Sequence, residues 1–332
     1  MDDEKPLRPD AVRNRAVVSP LFAERGVVDT TEYDAFGPWI DEVTSPEGLP
    51  RLYRAHPLDF SQTLLVLKVP RDIARRDATP AMHLYDALIV VTAGDLTVLT
   101  REGEGFSTFT CPHEQIFALD DSVLLLDGRL TVHLTDRVPL TIPYNGSART
   151  SITRLVALLR RAVTAATDTP WAHDGTDGAD SRIAPSATHL LSAQRDHGLR
   201  ADTQETLRTD PDSRVLGGHP STQVSPRPGS LAALAHRLRP AFLNAGVVLA
   251  RPGELSLVRR RDWLVRGHEQ DLSHARTFLF PHRLDRVEVT GHRLYQGVSV
   301  MRLSAGSSAL DLLMPENSPT RDVLGDATAI HV

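Results

Sequence analysis

Two stretches of this chain, roughly 87–145 and 246–317, read as copies of one unit. Ala87–Leu99 lines up with Gly246–Val258, and Thr108, Phe109, Pro112 and His113 answer Thr277, Phe278, Pro281 and His282. From each proline the next landmark glycine, Gly128 or Gly297, lies sixteen residues on. Each copy closes on a proline and then an asparagine, Pro143 and Asn145 or Pro315 and Asn317. The copies differ mainly in one hairpin, about ten residues longer in the second. Spacing and residue type agree together, which constrains the fold more than any single motif. A repeated unit without a catalytic signature points to binding or scaffolding.

A chain of 332 residues is too long for one small core and suits two domains plus further segments. Its 41% hydrophobic and 24% charged residues are ordinary for a globular protein. The single cysteine, Cys111, excludes a disulfide within the chain and a thiolate zinc site. The acidic, polar start, Met1 to Pro6, does not read as a signal peptide, and no run is long enough to cross a bilayer. A cytoplasmic location is the expectation. The net charge of −5 is uneven, because residues 230–332 carry thirteen arginines against ten acids. That surplus is far from a nucleic-acid footprint, although it can favour an acidic peptide or an anionic headgroup.

The first 50 residues read as an irregular lead-in that folds over the first unit. Leu64–Val69 has strand composition, and Pro70 to Arg76 reads as a short helix or turn, because proline suits the first helical position. From Tyr85 onward short alternating runs are joined by turns such as Ala93-Gly94-Asp95 and Gly103-Glu104-Gly105, which argues an antiparallel sandwich or bent barrel. Ile152, Leu155, Val156, Leu159 and Val163 then recur at helical spacing, with Ser147 or Thr150 as cap. Residues 164–229 are turn-rich and poor in apolar residues, as in Asp174–Asp180 and Ser225–Ser230, and read as mainly linker with a possible helix over Ser186–Arg195. A further helix is expected over Ser230–Leu243, broken at Pro240. The β pattern returns over 247–313, and Asn317 or Ser318 can cap a last short helix, Thr320–Asp326.

Seven or so strands followed by one amphipathic helix is an order of elements that resembles bacterial pleckstrin-homology-like (PH-like) domains. The resemblance lies in 85–163, with 246–327 similar to a degenerate second copy. It implies a mainly β fold with helices: two PH-like bent sandwich or barrel units, each closed by a C-terminal helix. The corresponding division is 1–50 lead-in, 51–163 first PH-like domain, 164–229 linker and 230–332 second domain. The resemblance implies binding of lipids, peptides or proteins, or self-association, and does not imply catalysis.

The densest basic group is Arg259, Arg260 and Arg261, leading to Trp263 and Arg266. Guanidinium forks near an exposed tryptophan can clamp phosphate or carboxylate. The alternative is a charged edge strand that resists edge-to-edge pairing. A second basic group, Lys68, Arg71, Arg75 and Arg76, precedes the first copy, and Asp72 and Asp77 stand close enough to neutralise it. Histidines 268, 274, 282 and 292 are spaced unlike any ligand set, so no metal and no cofactor is expected. His113 and His282 hold equivalent places after proline, which favours a structural role.

No Gly-x-Gly-x-x-Gly, phosphate loop, nucleophile elbow or His-Glu-x-x-His is present. The leading expectation is therefore a non-catalytic cytoplasmic binding or scaffold protein that recognises a protein partner or self-associates. One alternative is a small-ligand sensor or enzyme with a pocket between the two units, using His113, His282 or the arginines of 259–266. Another is weak contact of Arg259, Arg260, Arg261 and Arg266 with an anionic membrane surface. No nucleic-acid partner and no transmembrane segment is expected.

Overall fold

The computed structural model describes residues 30–165, 194–228, 239–267 and 272–329. The start of the lead-in, the Asp174–Asp180 run, most of Ser186–Arg195, the first part of Ser230–Leu243 and His268 lie outside the described residues. The protein is mainly β, with several antiparallel sheets and a C-terminal helix. It divides into two compact units, Met1–Pro112 and His113–Val332. That division falls inside the segment 51–163 expected to form one domain.

Among its described residues the first unit has a short helix, α1 (Thr31–Asp34), followed by one antiparallel sheet. Its strands β1 (Asp41–Glu42), β2 (Thr63–Pro70), β3 (Tyr85–Thr92), β4 (Asp95–Glu102) and β5 (Gly105–Pro112) lie in sequence order. Phe36, Val43, Leu49 and Leu52 of the irregular lead-in pack with Val66, Leu88, Leu99 and Phe106 of the sheet. Tyr53 anchors this layer, with its ring 5.5 Å from Phe106 and its hydroxyl donating to the Tyr85 carbonyl at 3.2 Å. Of the short helix or turn expected from Pro70 to Arg76, a turn is what forms: the Arg71 amide donates to the Leu84 carbonyl at 3.0 Å, the chain bends at Asp72 and Ile73, and one 3-10 turn follows at Arg75–Asp77.

The second unit opens with β6 (Ile116–Leu124), β7 (Asp127–Leu134) and β8 (Leu140–Asn145), followed by α2 (Arg149–Ala165). The apolar stripe read from sequence is the buried face of α2: Ile152, Leu155, Val156, Leu159 and Val163. Neither Ser147 nor Thr150 leads into it. Asn145 Oδ1 does, accepting from the Ser147 amide and hydroxyl at 3.0 and 2.7 Å. Next come α3 (His197–Thr209), β9 (Arg214–His219) and β10 (Thr222–Pro226), all within the stretch expected to be mainly linker. Only Leu199 and Leu207 of α3 join an apolar cluster, with Val247, Leu249 and Val258, so its composition hides it. The strand β11 (Ala241–Leu243) replaces the end of the helix expected over Ser230–Leu243.

The remaining elements are β12 (Gly246–Arg251), β13 (Glu254–Arg259), β14 (Leu264–Arg266), β15 (His274–Leu279), β16 (Arg286–Gly291), β17 (Tyr295–Gln296), β18 (Val298–Ala305), β19 (Ser308–Pro315) and α4 (Pro319–Ala329). A seven-stranded sheet runs in the order β8-β7-β6-β15-β13-β12-β9. Smaller sheets are β14-β11-β10-β17 and β16-β18-β19. The strands of the two repeat segments are thus not kept apart, because β6 of the first pairs with β15 of the second. The order of elements is nonetheless similar: strands, a one-turn 3-10 helix at His113–Gln115 or Pro281–Arg283, further strands and a helix, with three strands on either side of the turn in the first segment and four in the second, where the short β14 and β17 are added. The landmark glycines do different work. A Cβ on Gly128 would meet the Tyr144 ring at 2.4 Å, whereas Gly297 turns the chain with φ +71°.

One face of the seven-stranded sheet presents Val248, Leu255, Leu257 and Leu279 to Met301, Leu303, Leu312 and Met314 of β18 and β19, and Leu324 of α4 closes the sandwich. His219 fastens α4 to this layer. Its Nδ1 lies 2.9 Å from Thr320 Oγ1 and its Nε2 lies 3.2 Å from the Asn244 carbonyl. Of the two neutral tautomers only the one with hydrogen on Nε2 satisfies both, with Thr320 donating. Burial pushes the His219 pKa down to about 4. A group depressed on folding loses protons relative to the unfolded chain, so stability is full above the unfolded pKa of about 6.5 and falls as pH drops toward 4. Urea melts between those limits should lose roughly 3 kcal/mol from this group. His219→Gln should flatten that dependence at some cost in stability near neutral pH; a slope unchanged in the variant would contradict the assignment.

Candidate functional site

The arginine run does not form a solvated edge. The strand β13, which ends at Arg259, lies between β15 and β12 in the interior of the sheet. Arg259 and Arg260 are 6% and 5% exposed. Arg259 pairs with Asp120 on β6 at 2.6 Å, donates from Nε to Thr277 Oγ1 at 3.1 Å and lies over the Trp263 ring at 4.6 Å. Thr277 in turn donates to the same Asp120 oxygen at 2.6 Å. Arg260 reaches Asp202 of α3 at 3.4 Å and the Ser273 carbonyl. Arg261 pairs with Asp127 at 2.9 Å. Trp263 is half-buried against the sandwich core. Arg266 is exposed and makes a long 3.4 Å contact with the Tyr295 hydroxyl. Three of the four guanidiniums expected to face an anion are therefore occupied by the protein's own carboxylates.

The second basic group scatters over the first unit. Lys68 faces Asp41 at 4.0 Å, Arg71 faces Asp86 at 3.8 Å and Arg76 faces Asp77 at 3.8 Å. Arg75 caps the Tyr33 and Phe36 carbonyls and lies 4.1 Å above the Tyr33 ring. These contacts organise the lead-in and do not converge on a site. His113 is buried at the turn between β5 and β6, and His282 sits in the equivalent turn. Among the described residues no three His, Cys, Asp or Glu side chains cluster to hold a metal.

A cleft of about 640 Å³ opens on the other face of the seven-stranded sheet. Its floor is Asp121 and Val123 of β6, Val258 of β13 and Arg276 and Phe278 of β15, and its walls come from α2 and α3. Residues of both repeat segments line it, and it lies wholly within the second unit. Arg160 of α2 holds one end together: it forks onto Glu254 at 2.7 and 2.8 Å, reaches Asp210 at 2.8 Å and lies 4.4 Å above the Phe278 ring. Burial alone would lower the Arg160 pKa, but its hydrogen bonds to Glu254 and Asp210 outweigh that and raise it, so the guanidinium stays charged, while burial raises the pKa of Glu254. Asp210 also takes Arg251 at 3.4 Å, while Asp202 takes His274 at 2.7 Å.

The balance of charge in the cleft is the informative part. Asp202, Glu205 and Asp210 each have a cationic partner. Among the described residues Arg149, Arg161 and Arg276 close no ion pair. Arg276 is half-buried, donates to Thr206 Oγ1 and lies 5.7 Å from the Phe278 ring. Burial and then the neighbouring Arg160 and Arg149 lower its pKa, against the smaller opposing pull of Asp121 and Asp210. Asp121 stands opposite Arg276 in the strand register without closing a pair, and burial raises its pKa. None of these residues stands out in the sequence. Each is unremarkable alone, and only the alternation of strands known to pair brings Asp121 and Arg276 to one face.

No family model matches the chain, and a search of the curated proteins gives no match. The geometry makes its own prediction for the arginine run. Arg259→Ala leaves Asp120 without its cation and should cost about 3–5 kcal/mol in urea unfolding, the usual penalty for breaking a buried pair. Arg266→Ala should stay within about 0.5 kcal/mol of the parent. Equal, small losses for both would mean that the Arg259 network carries no structural weight.

Proposed function

We propose that the protein is a non-catalytic binding module whose cleft takes up a small anionic ligand. The observation that carries this reading is the imbalance at the cleft: among the described residues three guanidiniums, Arg149, Arg161 and Arg276, close no ion pair, against one acid, Asp121, that closes none. Guanidiniums are the side chains suited to oxyanions, because their fixed fork matches two oxygens at once. A concave site with a few convergent polar groups and perturbed ionisable residues is where ligands are bound. The shared order of strands, 3-10 turn and helix supports the further reading that the chain is a duplicated PH-like module working in the cytoplasm. A ligand seated between α2 and α3 would set their spacing, which suits a sensor.

A second reading, a protein partner or self-association, is favoured by a different feature. The hairpin between β6 and β7 turns on Leu125 and Leu126, which are 74% and 63% exposed, and Leu125 has φ +56°. Two leucines where glycine or asparagine is usual form an apolar tip that a partner's pocket can accept. Light scattering and capture experiments with Leu125→Asn test it; retention of the same partner by the variant argues against the tip.

The main reading is tested by thermal shift and calorimetry with a panel of phosphorylated and carboxylated metabolites. At least one should stabilise the protein, more weakly as salt rises, and Arg276→Gln should weaken it tenfold or more, on the order of 1.4 kcal/mol. No stabilisation across the panel, or binding indifferent to Arg276→Gln, would remove the reading.

A further inference from the structure

The cleft's acids differ in what they face. Asp202, Glu205 and Asp210 lie on or at the end of α3 and each has a cationic partner, whereas Asp121 rises from the floor. Its Oδ1 accepts the Tyr144 hydroxyl at 2.5 Å. That hydroxyl is aimed by the Tyr144 ring, which lies flush on Gly128 of the neighbouring strand. The charges acting on Asp121 are Arg149 at the start of α2, Arg276 across the β6–β15 register and Asp120 beside it in β6. Arg149 and Arg276 close no ion pair among the described residues, and the Asp121 carboxylate lines the cleft with both of them, opposite Arg276 in the strand register.

We propose that Asp121 is the resident counter-charge of the cleft, and that a small oxyanion with two negative charges takes over that part, so that binding takes up a proton at Asp121. The inference rests on the anion-site reading above. Two carboxylate-like charges held near one pair of guanidiniums repel, and in a poorly solvated site the weaker acid is the one that takes a proton. Asp121 is suited to that exchange, because burial already favours its neutral form. Once protonated, its free oxygen becomes a donor to the ligand, while the Tyr144 hydroxyl keeps its acceptor. The proton comes from solvent, and no bond other than O–H is made. Binding is then tightest where Asp121 is already neutral. It weakens as pH rises through the Asp121 pKa of the free protein, by up to about tenfold per pH unit, and levels off above the pKa of the complex.

Sulfate is the probe, since it stays a dianion over the working range. Calorimetry on the full chain from about pH 5 to about pH 8, in buffers of different ionisation enthalpy, reads the protons exchanged on binding. Uptake approaching one proton per sulfate is expected. Asp121→Asn, which retains an oxygen for Tyr144, should bind sulfate at least as well at the upper end of the range and take up none. The carboxyl-carbon shift of Asp121 in the parent protein gives an independent readout, and its titration midpoint should rise when sulfate is added. Uptake that persists in Asp121→Asn would assign the proton to another group and overturn the proposal. So would an unmoved Asp121 midpoint, or loss of sulfate binding in a folded Asp121→Asn. Failure of the parent to bind sulfate at any pH would instead remove the anion-site reading beneath it.

Discussion

Where β6 runs antiparallel to β15, Asp120 stands opposite Thr277 and Asp121 opposite Arg276. Successive residues of a strand project to opposite faces. Two adjacent carboxylates therefore enter two environments. Asp120 meets Arg259 and Thr277 on the side that packs into the sandwich, and Asp121 meets Arg276 on the side that floors the cleft. The same pairing joins the β6–β8 meander to β15, β13, β12 and β9 and so makes one sheet of seven strands. Core, cleft and the seats of both flanking helices follow from that register.

Charge fixes this register more than apolar burial does. A slip of one residue would turn Asp121 toward the core and leave Arg259 without an anion, exchanging a satisfied network for two stranded charges. Buried ion pairs often add little net stability over apolar substitutes, since desolvation offsets most of their attraction. Their value here is discrimination between registers. The arrangement also explains how α3, with two apolar anchors, stays on the sheet. Asp202 takes Arg260 and His274, and Thr206 takes Arg276, so polar contacts replace an apolar stripe.

Much of the secondary structure is legible in the sequence, because it follows from local period. The strands from Tyr85 onward alternate, and the α2 stripe recurs at helical spacing and is the buried face. The last helix is found where Ser318 can cap it, its hydroxyl accepting from the Arg321 amide at 3.3 Å. What local period does not carry is which strands meet. Arg259 and Asp120 are 139 residues apart, Arg261 reaches a carbonyl 134 residues away, and Arg260 finds Asp202 across 58. A run of three arginines is ordinarily a solvated surface, so burial of this one has no local signal. The cleft is hidden for the same reason: Asp121, Arg149 and Arg276 lie on three elements that only the composite sheet assembles.

The account stands or falls on β6 and β15 being neighbours in a single cooperative sheet. Native-state hydrogen exchange on the amides of Ala118–Val123 and His274–Leu279 tests this most directly, in the parent and in Asp120→Asn. If the strands are paired and locked by the Arg259 network, both sets of amides open in one event. The substitution, although it lies on β6 alone, then lowers their opening free energies together. If β15 amides keep their protection while β6 amides lose theirs, the strands open separately, and neither the sheet nor the cleft built on it exists as described.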